Sequence, residues 1–392
     1  MSKTDVAILD FGSEKISVII GRRDVNNTFS IKGVGESEYA GFMNGEFLQP
    51  EQLKLAMGLA LNNAEVNSKT KISKLYVGVP AEFSFCVCKN ISQTYARSKT
   101  VTQQDIDELF DRANDFKQFK GHTVINQSAI YYVLDDNGKE TNPLGLITSK
   151  LTGCLSFILA EKSFVNLINS FKVDLDLERV DFISSTLAES LYLFDSETRD
   201  RYALLVDVGY ITTSVSLIRG DGILSLASFS MGGGHITADL MECLKITFDQ
   251  AETLKRKIVL SIEPTDDDVY EAMIDGAVVP IKAKTANEIV ECRIEEIAKN
   301  ILKCLSLCSY EYPDYIPVSL TGGGLCYLKG AKDLLSKLIG RNVEMVVPPV
   351  PQLNKPHFSS SIGLLDAALK QEEINNSRKG FWSRLKEKLF GF

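Results

Sequence analysis

Two short stretches of this chain place an aspartate, one variable residue and a glycine directly after an apolar run. The first is Asp10-Phe11-Gly12-Ser13 after residues 6–9, and the second is Asp207-Val208-Gly209-Tyr210 after residues 203–206. A third turn, Leu320-Thr321-Gly322-Gly323-Gly324, follows another short apolar run. These residue types suit one chemistry. Tight glycine turns present backbone N–H groups to anions. Carboxylates attract a divalent cation, commonly Mg²⁺, which keeps several of its waters. Three consecutive glycines permit positive φ and a close approach of the chain to a ligand. Two such loops can clamp a polyphosphate while the third turn supports an adenosine. One Asp-X-Gly is a common turn; two after matching strands, with Thr-Gly-Gly-Gly downstream, form a far more specific pattern.

The elements that position these turns are legible from periodicity. Each Asp-X-Gly is followed by a second strand, over residues 15–21 and 212–218, so each reads as a hairpin. The continuous apolar runs predict strands buried on both faces. Apolar residues recur at helical spacing over residues 51–63, 102–116, 162–171, 236–259 and 286–309, and a helix is expected over 328–339 after the third turn. Residues 76–166 read as a self-contained α/β unit. Residues 370–380 are polar and carry no core, which predicts a flexible linker.

The bulk properties bound the reading. At 392 residues the chain is long enough for two or more domains. Charged residues are 24% and hydrophobic residues 44%, values that suit a globular protein. The net charge of −8 argues against a general nucleic-acid binder, which needs clustered Lys and Arg. The eight cysteines include no CxxC pair and the three histidines lie far apart, so no metal site is expected from them. Cys86 and Cys88 are expected on one face of a strand. The N-terminal apolar stretch is too short for a signal peptide, and no run reaches the roughly 20 residues that span a bilayer. A cytoplasmic location is therefore expected.

The last residues, from Gly380 to Phe392, reverse the acidic balance. Wound at about 100° per residue, Phe381, Trp382, Leu385, Leu389 and Phe392 fall on one arc. Arg384 lies away from it and Lys388 flanks it. Aromatic and leucine residues on one side with Lys and Arg on the other describe an interfacial helix that binds anionic lipid. Docking of the same stripe on the protein body is the competing reading.

These motifs resemble the actin, Hsp70 and sugar-kinase superfamily. Within it, Gly232-Gly233-Gly234-His235-Ile236-Thr237-Ala238-Asp239, Gln250-Ala251-Glu252-Thr253-Leu254-Lys255, Asn142-Pro143-Leu144-Gly145-Leu146 and Arg293-Ile294-Glu295-Glu296-Ile297 resemble the FtsA family of bacterial cell-division proteins. The resemblance implies an actin-like α/β fold of duplicated ribonuclease-H-like domains with an inserted FtsA-specific subdomain. It implies subdomain 1A over residues 1–75, 167–200 and 345–370, subdomain 1C over 76–166, subdomain 2A over 201–236 and 310–344, and subdomain 2B over 237–309. A linker at 371–379 and an amphipathic membrane-targeting helix at 380–392 follow.

The resemblance also implies ATP or ADP with Mg²⁺ as ligands. Asp10 and Asp207 would orient the hydrated metal. Gly12, Ser13, Lys15, Gly209, Tyr210 and Thr212 would surround the phosphates. Glu252 and Lys255 would lie near the ribose or adenine above Gly322, Gly323 and Gly324. It implies binding of the C-terminal tail of the tubulin-like protein FtsZ, with Arg293 as a contact, and self-association into filaments at the division site. The bland reading of Arg293 is a solvated side chain paired with Glu296. The chain departs from the family at Tyr210, Ile211, Ser214 and Ser185. Ser185 stands where an acid or amide would help position an attacking water, so slow or negligible hydrolysis is expected. A pilus-assembly-type adaptor and a small-molecule kinase of the same fold are the alternatives.

Overall fold

The structure is a computed structural model that describes residues 5–12, 15–24, 29–39, 42–43, 46–274, 276–350 and 353–390. The first half opens with β1 (Asp5–Phe11), β2 (Lys15–Arg23) and β3 (Phe29–Glu38). A short ribbon, β4 (Phe42–Met43) and β5 (Glu46–Phe47), leads to α1 (Pro50–Ser68) and β6 (Lys74–Val79). An inserted unit follows: β7 (Ser84–Thr100), α2 (Gln103–Ala113), β8 (His122–Leu134), β9 (Lys139–Glu140) and β10 (Ile147–Glu161). The chain returns through α3 (Lys162–Ser170), β11 (Arg179–Ser184), α4 (Ser185–Leu193) and α5 (Ser196–Asp200). The second half holds β12 (Ala203–Val208), β13 (Thr213–Arg219), β14 (Gly222–Phe229), α6 (Gly233–Leu244) and α7 (Phe248–Lys255). After them come β15 (Val269–Ile274), β16 (Ala277–Lys282), α8 (Ala283–Ser306), β17 (Val318–Thr321), α9 (Ala331–Ile339), β18 (Val343–Met345) and α10 (Ser359–Phe390).

The duplication expected from the hairpins is present in the topology. One sheet runs β3-β2-β1-β6-β11 and the other β14-β13-β12-β17-β18. In each, an antiparallel hairpin is continued by two parallel strands. Even the register repeats: Asp10 lies opposite Ser17 and Asp207 opposite Ser214. The central strands are apolar on both faces, and Ile8, Leu9, Leu204 and Val206 are all buried.

The boundaries of the inserted unit differ from those expected. Its own sheet is β7-β10-β8-β9. Strand β6, placed inside the unit at 76, instead pairs with β1 and β11 of the first sheet. Helix α3 buries Phe164 and Ile168 in the same core as Leu53 and Met57 of α1, with Phe164 against Phe11 and Phe47, so it too belongs to the first half. Apolar periodicity marks these elements but not the core they join. Cys86 and Cys88 do share a face of β7, where the Cys88 thiol meets the Ile223 carbonyl of the second half at 3.4 Å.

Residues 370–380 are not a break in structure. They continue α10, and their acidic side chains are tethers: Glu372 accepts from Lys74 and from Tyr76 (2.6 Å), and Glu373 pairs with Arg23 at 3.0 Å. Polar composition pointed to a linker because these partners lie some 300 residues away in sequence. Residues 376–390 are helical, but the side chains of the Phe381, Trp382, Arg384, Leu385, Lys388 and Leu389 stripe lie outside the described residues, as does Phe392 altogether.

Helix α10 packs on α4 through Gly363. A Cβ added there would stand 2.6 Å from the Cα of Glu189 and 2.7 Å from its N. Both atoms are backbone and neither can rotate away. Gly363→Ala is expected to cost about 1–3 kcal/mol through overpacking, read as a fall in the denaturant midpoint; an unchanged midpoint would show that the two helices can part freely.

Candidate functional site

The two halves face each other across a cleft of about 690 Å³. Hairpin β1–β2 supplies Asp10, Phe11, Gly12 and Lys15. Hairpin β12–β13 supplies Asp207, Gly209, Tyr210, Thr212 and Ser214. The turn after β17 supplies Gly322, Gly323 and Gly324, and α7 supplies Glu252 and Lys255. The residues singled out for a nucleotide site thus line one cavity. Ser13 lies outside the described residues.

The glycines act chiefly by shaping the walls. The N–H of Gly12 donates to the Lys15 carbonyl at 3.0 Å, and that of Gly209 to the Thr212 carbonyl at 2.8 Å. Both N–H groups close their hairpins, so these two glycines set the turns. Three glycine turns then cross backbone to backbone. Gly324 N–H donates to Val208 O at 2.7 Å, and Gly233 N–H to Gly209 O at 2.9 Å. A Cβ on Gly324 would meet Gly209 O at 2.3 Å, and one on Gly233 would meet the Cα of Gly324 at 2.6 Å. Tyr210 lays its ring over Gly234 and meets Phe248 edge-on at 6.4 Å.

The cleft floor is acidic. Asp10 is buried, and its two carboxylate oxygens accept from Ser360 (2.9 Å) and Ser361 (2.7 Å) in the first turn of α10. Burial still pushes its pKa up against those hydroxyls. Asp207 is pushed up to about 7, first by burial and then by the charges of Asp10 and Glu82. Glu82, in a 3-10 turn just before β7, is raised by burial and faces the Thr212 hydroxyl. Glu189 of α4 is pushed well above the carboxylate range by burial, then by Asp207 and Asp10.

Such a floor repels a polyphosphate until a divalent cation offsets its charge, and so the residues fit the expected Mg²⁺. Among the described residues no three His, Cys, Asp or Glu side chains converge closely enough to hold an ion directly. Asp10 and Asp207 would hold it through its waters.

The rim is better neutralised. Lys255 reaches Glu252 (2.6 Å), Thr237 Oγ1 (2.8 Å) and the Gly233 carbonyl (3.1 Å). Burial disfavours the Glu252 carboxylate, but the Lys255 ammonium and the Thr237 hydroxyl outweigh it and hold the pKa low. This is more than the exposed i, i+3 pair that spacing alone suggests, because a third residue from α6 locks it. Lys15 pairs with Glu36 at 2.7 Å.

Sequence reasoning passed over Glu82, Glu189, Lys355, His357 and Tyr327, all of which line the cleft. Glu189 carried a signal: it lies one helical turn after Ser185, the position where an acid was sought.

Arg293 lies elsewhere, on α8. Its guanidinium is a two-pronged partner of Asp239 on α6, at 2.6 and 2.7 Å. Pairing with Glu296 is not what the structure shows; Glu296 takes Lys299 at 2.6 Å. The fork geometry of Arg matches a carboxylate better across two helices than along one.

Comparison with known proteins agrees with this geometry. The family model described as Cell division protein FtsA matches residues 204–363, and the one described as SHS2 domain inserted in FTSA matches residues 87–159. The second match falls within the inserted unit β7–β10. The FtsA of Neisseria meningitidis is 23% identical over 380 residues, covering 94% of this chain and 91% of its own. That of Bacillus subtilis is 20% identical over 378 residues, covering 95% and 85%. Among solved structures, the PilM-PilN type IV pilus biogenesis complex gives a TM-score of 0.62 at 16% identity, covering 93% of this chain and 99% of the other. MreB 5 of Spiroplasma citri bound to AMPPNP gives 0.56 at 10%, covering 96% and 98%. These likenesses establish an actin-like fold. With a fold duplicated across one acidic cleft, and with both FtsA-specific matches spanning more than half its length, this chain belongs to the FtsA family of cell-division proteins.

Proposed function

We propose that this protein binds ATP with Mg²⁺ between its two halves, polymerises, and ties filaments of FtsZ to the cytoplasmic face of the cell membrane at the division site. The observation that carries the proposal is the convergence of three glycine turns and two aspartates, one from each half, on a single cleft. A protein of the same fold, the Spiroplasma MreB 5, was solved with the ATP analogue AMPPNP. That supports ATP here without fixing its rate of turnover. No helix of the described residues is long and apolar enough to cross a membrane. Attachment would then fall to the amphipathic segment at residues 380–392, bound reversibly and strengthened by polymerisation.

The proposed seat for the acidic FtsZ tail is the α6–α8 surface at Arg293. There the tail would exchange with Asp239 for the guanidinium, which makes recognition competitive.

Co-sedimentation tests the whole reading. Full-length protein with Mg²⁺ and ATP is expected to pellet with phosphatidylglycerol-containing vesicles and to carry FtsZ down with it. Removal of residues 380–392 is expected to lower both pellets about tenfold. FtsZ left in the supernatant beside membrane-bound protein would contradict the tether. Equal pelleting of the truncated chain would contradict the anchor.

A further inference from the structure

Helix α4 starts where β11 ends, and its first turns face the cleft. Ser185, Thr186 and Glu189 all line it, as residues i, i+1 and i+4 of one helix face. The helix is firmly set. The Ser184 hydroxyl caps the Leu187 N–H at 3.3 Å, and the Ser184 N–H donates to Asn126 Oδ1 at 2.7 Å.

Two polar atoms on this face have no hydrogen-bond partner: Oε1 of Glu189, which is 2% exposed, and Oγ of Ser185, which is 9% exposed. Orphaned buried polar atoms of this kind are costly and rare, and an ordered water, an ion or a catalytic role can account for them. Their positions are enforced rather than incidental. Gly78 of β6 leaves room for Ser185, since a Cβ there would lie 2.6 Å from Oγ. Gly363 lets α10 press on the backbone of Glu189. The same turn of α10 holds Asp10 through Ser360 and Ser361. One helix therefore fixes the distance between the cation-facing aspartate and Glu189.

The pair is suited to a water molecule. Side chains at i and i+4 stand about 5–6 Å apart at Cβ, which lets a hydroxyl and a carboxyl grip one small molecule between them. The group is small, polar and buried, and it lines the same cleft as Asp10 and Asp207.

We propose that Glu189, with Ser185, positions the water that attacks the terminal phosphoryl group of a bound nucleoside triphosphate; the inference rests on the ATP reading above. Ser185 orients the water, and Glu189, ionised once a bound cation offsets the charges of Asp10 and Asp207, accepts one of its protons as the water oxygen bonds to the terminal phosphorus. The bond from that phosphorus to the bridging oxygen breaks, and its electron pair leaves with the diphosphate. Glu189 then returns the proton to solvent. Positioning of this sort is most of what a phosphoryl-transfer site contributes. The acid absent at position 185 is supplied from one turn further along the same helix, and the chain is a slow but genuine hydrolase.

The test compares full-length wild type with Glu189→Gln and Ser185→Ala. Single-turnover hydrolysis of Mg²⁺–ATP is measured beside ATP affinity, the latter by displacement of a fluorescent ATP analogue. Glu189→Gln is expected to slow hydrolysis about 100-fold and Ser185→Ala about tenfold, in the range of lost general-base and orienting groups, with affinity within about threefold of wild type. Glu189→Asp, which keeps the carboxyl on a shorter stem, is expected to recover part of the rate. Hydrolysis by Glu189→Gln at the wild-type rate, or a wild type that binds ATP and never cleaves it, overturns the assignment and leaves ATP binding standing. A wild type that binds no ATP overturns the cleft reading itself.

Discussion

Asp207→Asn is expected to stabilise the protein without nucleotide and to weaken its binding of Mg²⁺–ATP at least 100-fold. The two effects share a cause. Asp207 sits in a buried group of acids, with Asp10 and Glu82 raising its pKa further after burial has done most of the work. In the unfolded chain its pKa returns to about 3.8, against about 7 in the fold. The folded state therefore binds this proton more tightly, and on that account stability falls as pH rises from about 4 to about 7. Partial access to solvent reduces the effect to on the order of 2 kcal/mol. Asparagine removes the charge, so the variant gains most at pH 8 and little at pH 4. Melting curves across that range check this: parallel curves for wild type and variant would contradict the linkage. The same substitution removes one of the two carboxylates that would face the proposed cation; wild type is expected to melt higher with Mg²⁺ and ATP, and the variant is expected to lose that rise.

Gly322→Ala carries the other large effect. Gly322 has φ of +87°, and a Cβ there would stand 2.1 Å from Asp207 Oδ1 and 2.4 Å from the Val208 carbonyl. Left-handed backbone strain and the clash act together, and the loop crossing must open. A cost of about 2–4 kcal/mol is expected, with nucleotide binding lost because the third turn no longer meets the second. Gly340 provides the control. Its φ is +72°, yet a Cβ there meets nothing within 4 Å, so Gly340→Ala is expected to cost only about 1 kcal/mol. Equal losses in the two variants would mean that backbone strain alone matters and that the crossing of the loops does not.

The fold was legible because its signals are local. An apolar run, an Asp-X-Gly turn and a second strand lie within about fifteen residues, and their recurrence near residue 205 announces the duplication. The cleft residues were legible for the same reason. What escaped was set by contacts through space. Ser361 meets Asp10 across 351 positions and Glu372 meets Tyr76 across 296; no spacing rule connects them. Asp239 took Arg293 because a helix 54 residues away presented the better carboxylate geometry. Glu189 was hidden differently. It stands one turn beyond the residue where the family pattern breaks, so reading the motif position by position stopped at Ser185, while a helix face makes the two positions equivalent.

Helix α10 begins on the two serines that hold Asp10 and runs unbroken to Phe390, 32 residues in all. At 1.5 Å per residue its axis is roughly 48 Å long. It is a shaft with its root at the cleft and its far end in the segment that, under the proposed function, would bind lipid. A tilt of about 10° at the root sweeps the tip through roughly 8 Å of that length. If the proposed function holds, the angle at which the body stands over a membrane would be geared to the contents of the cleft.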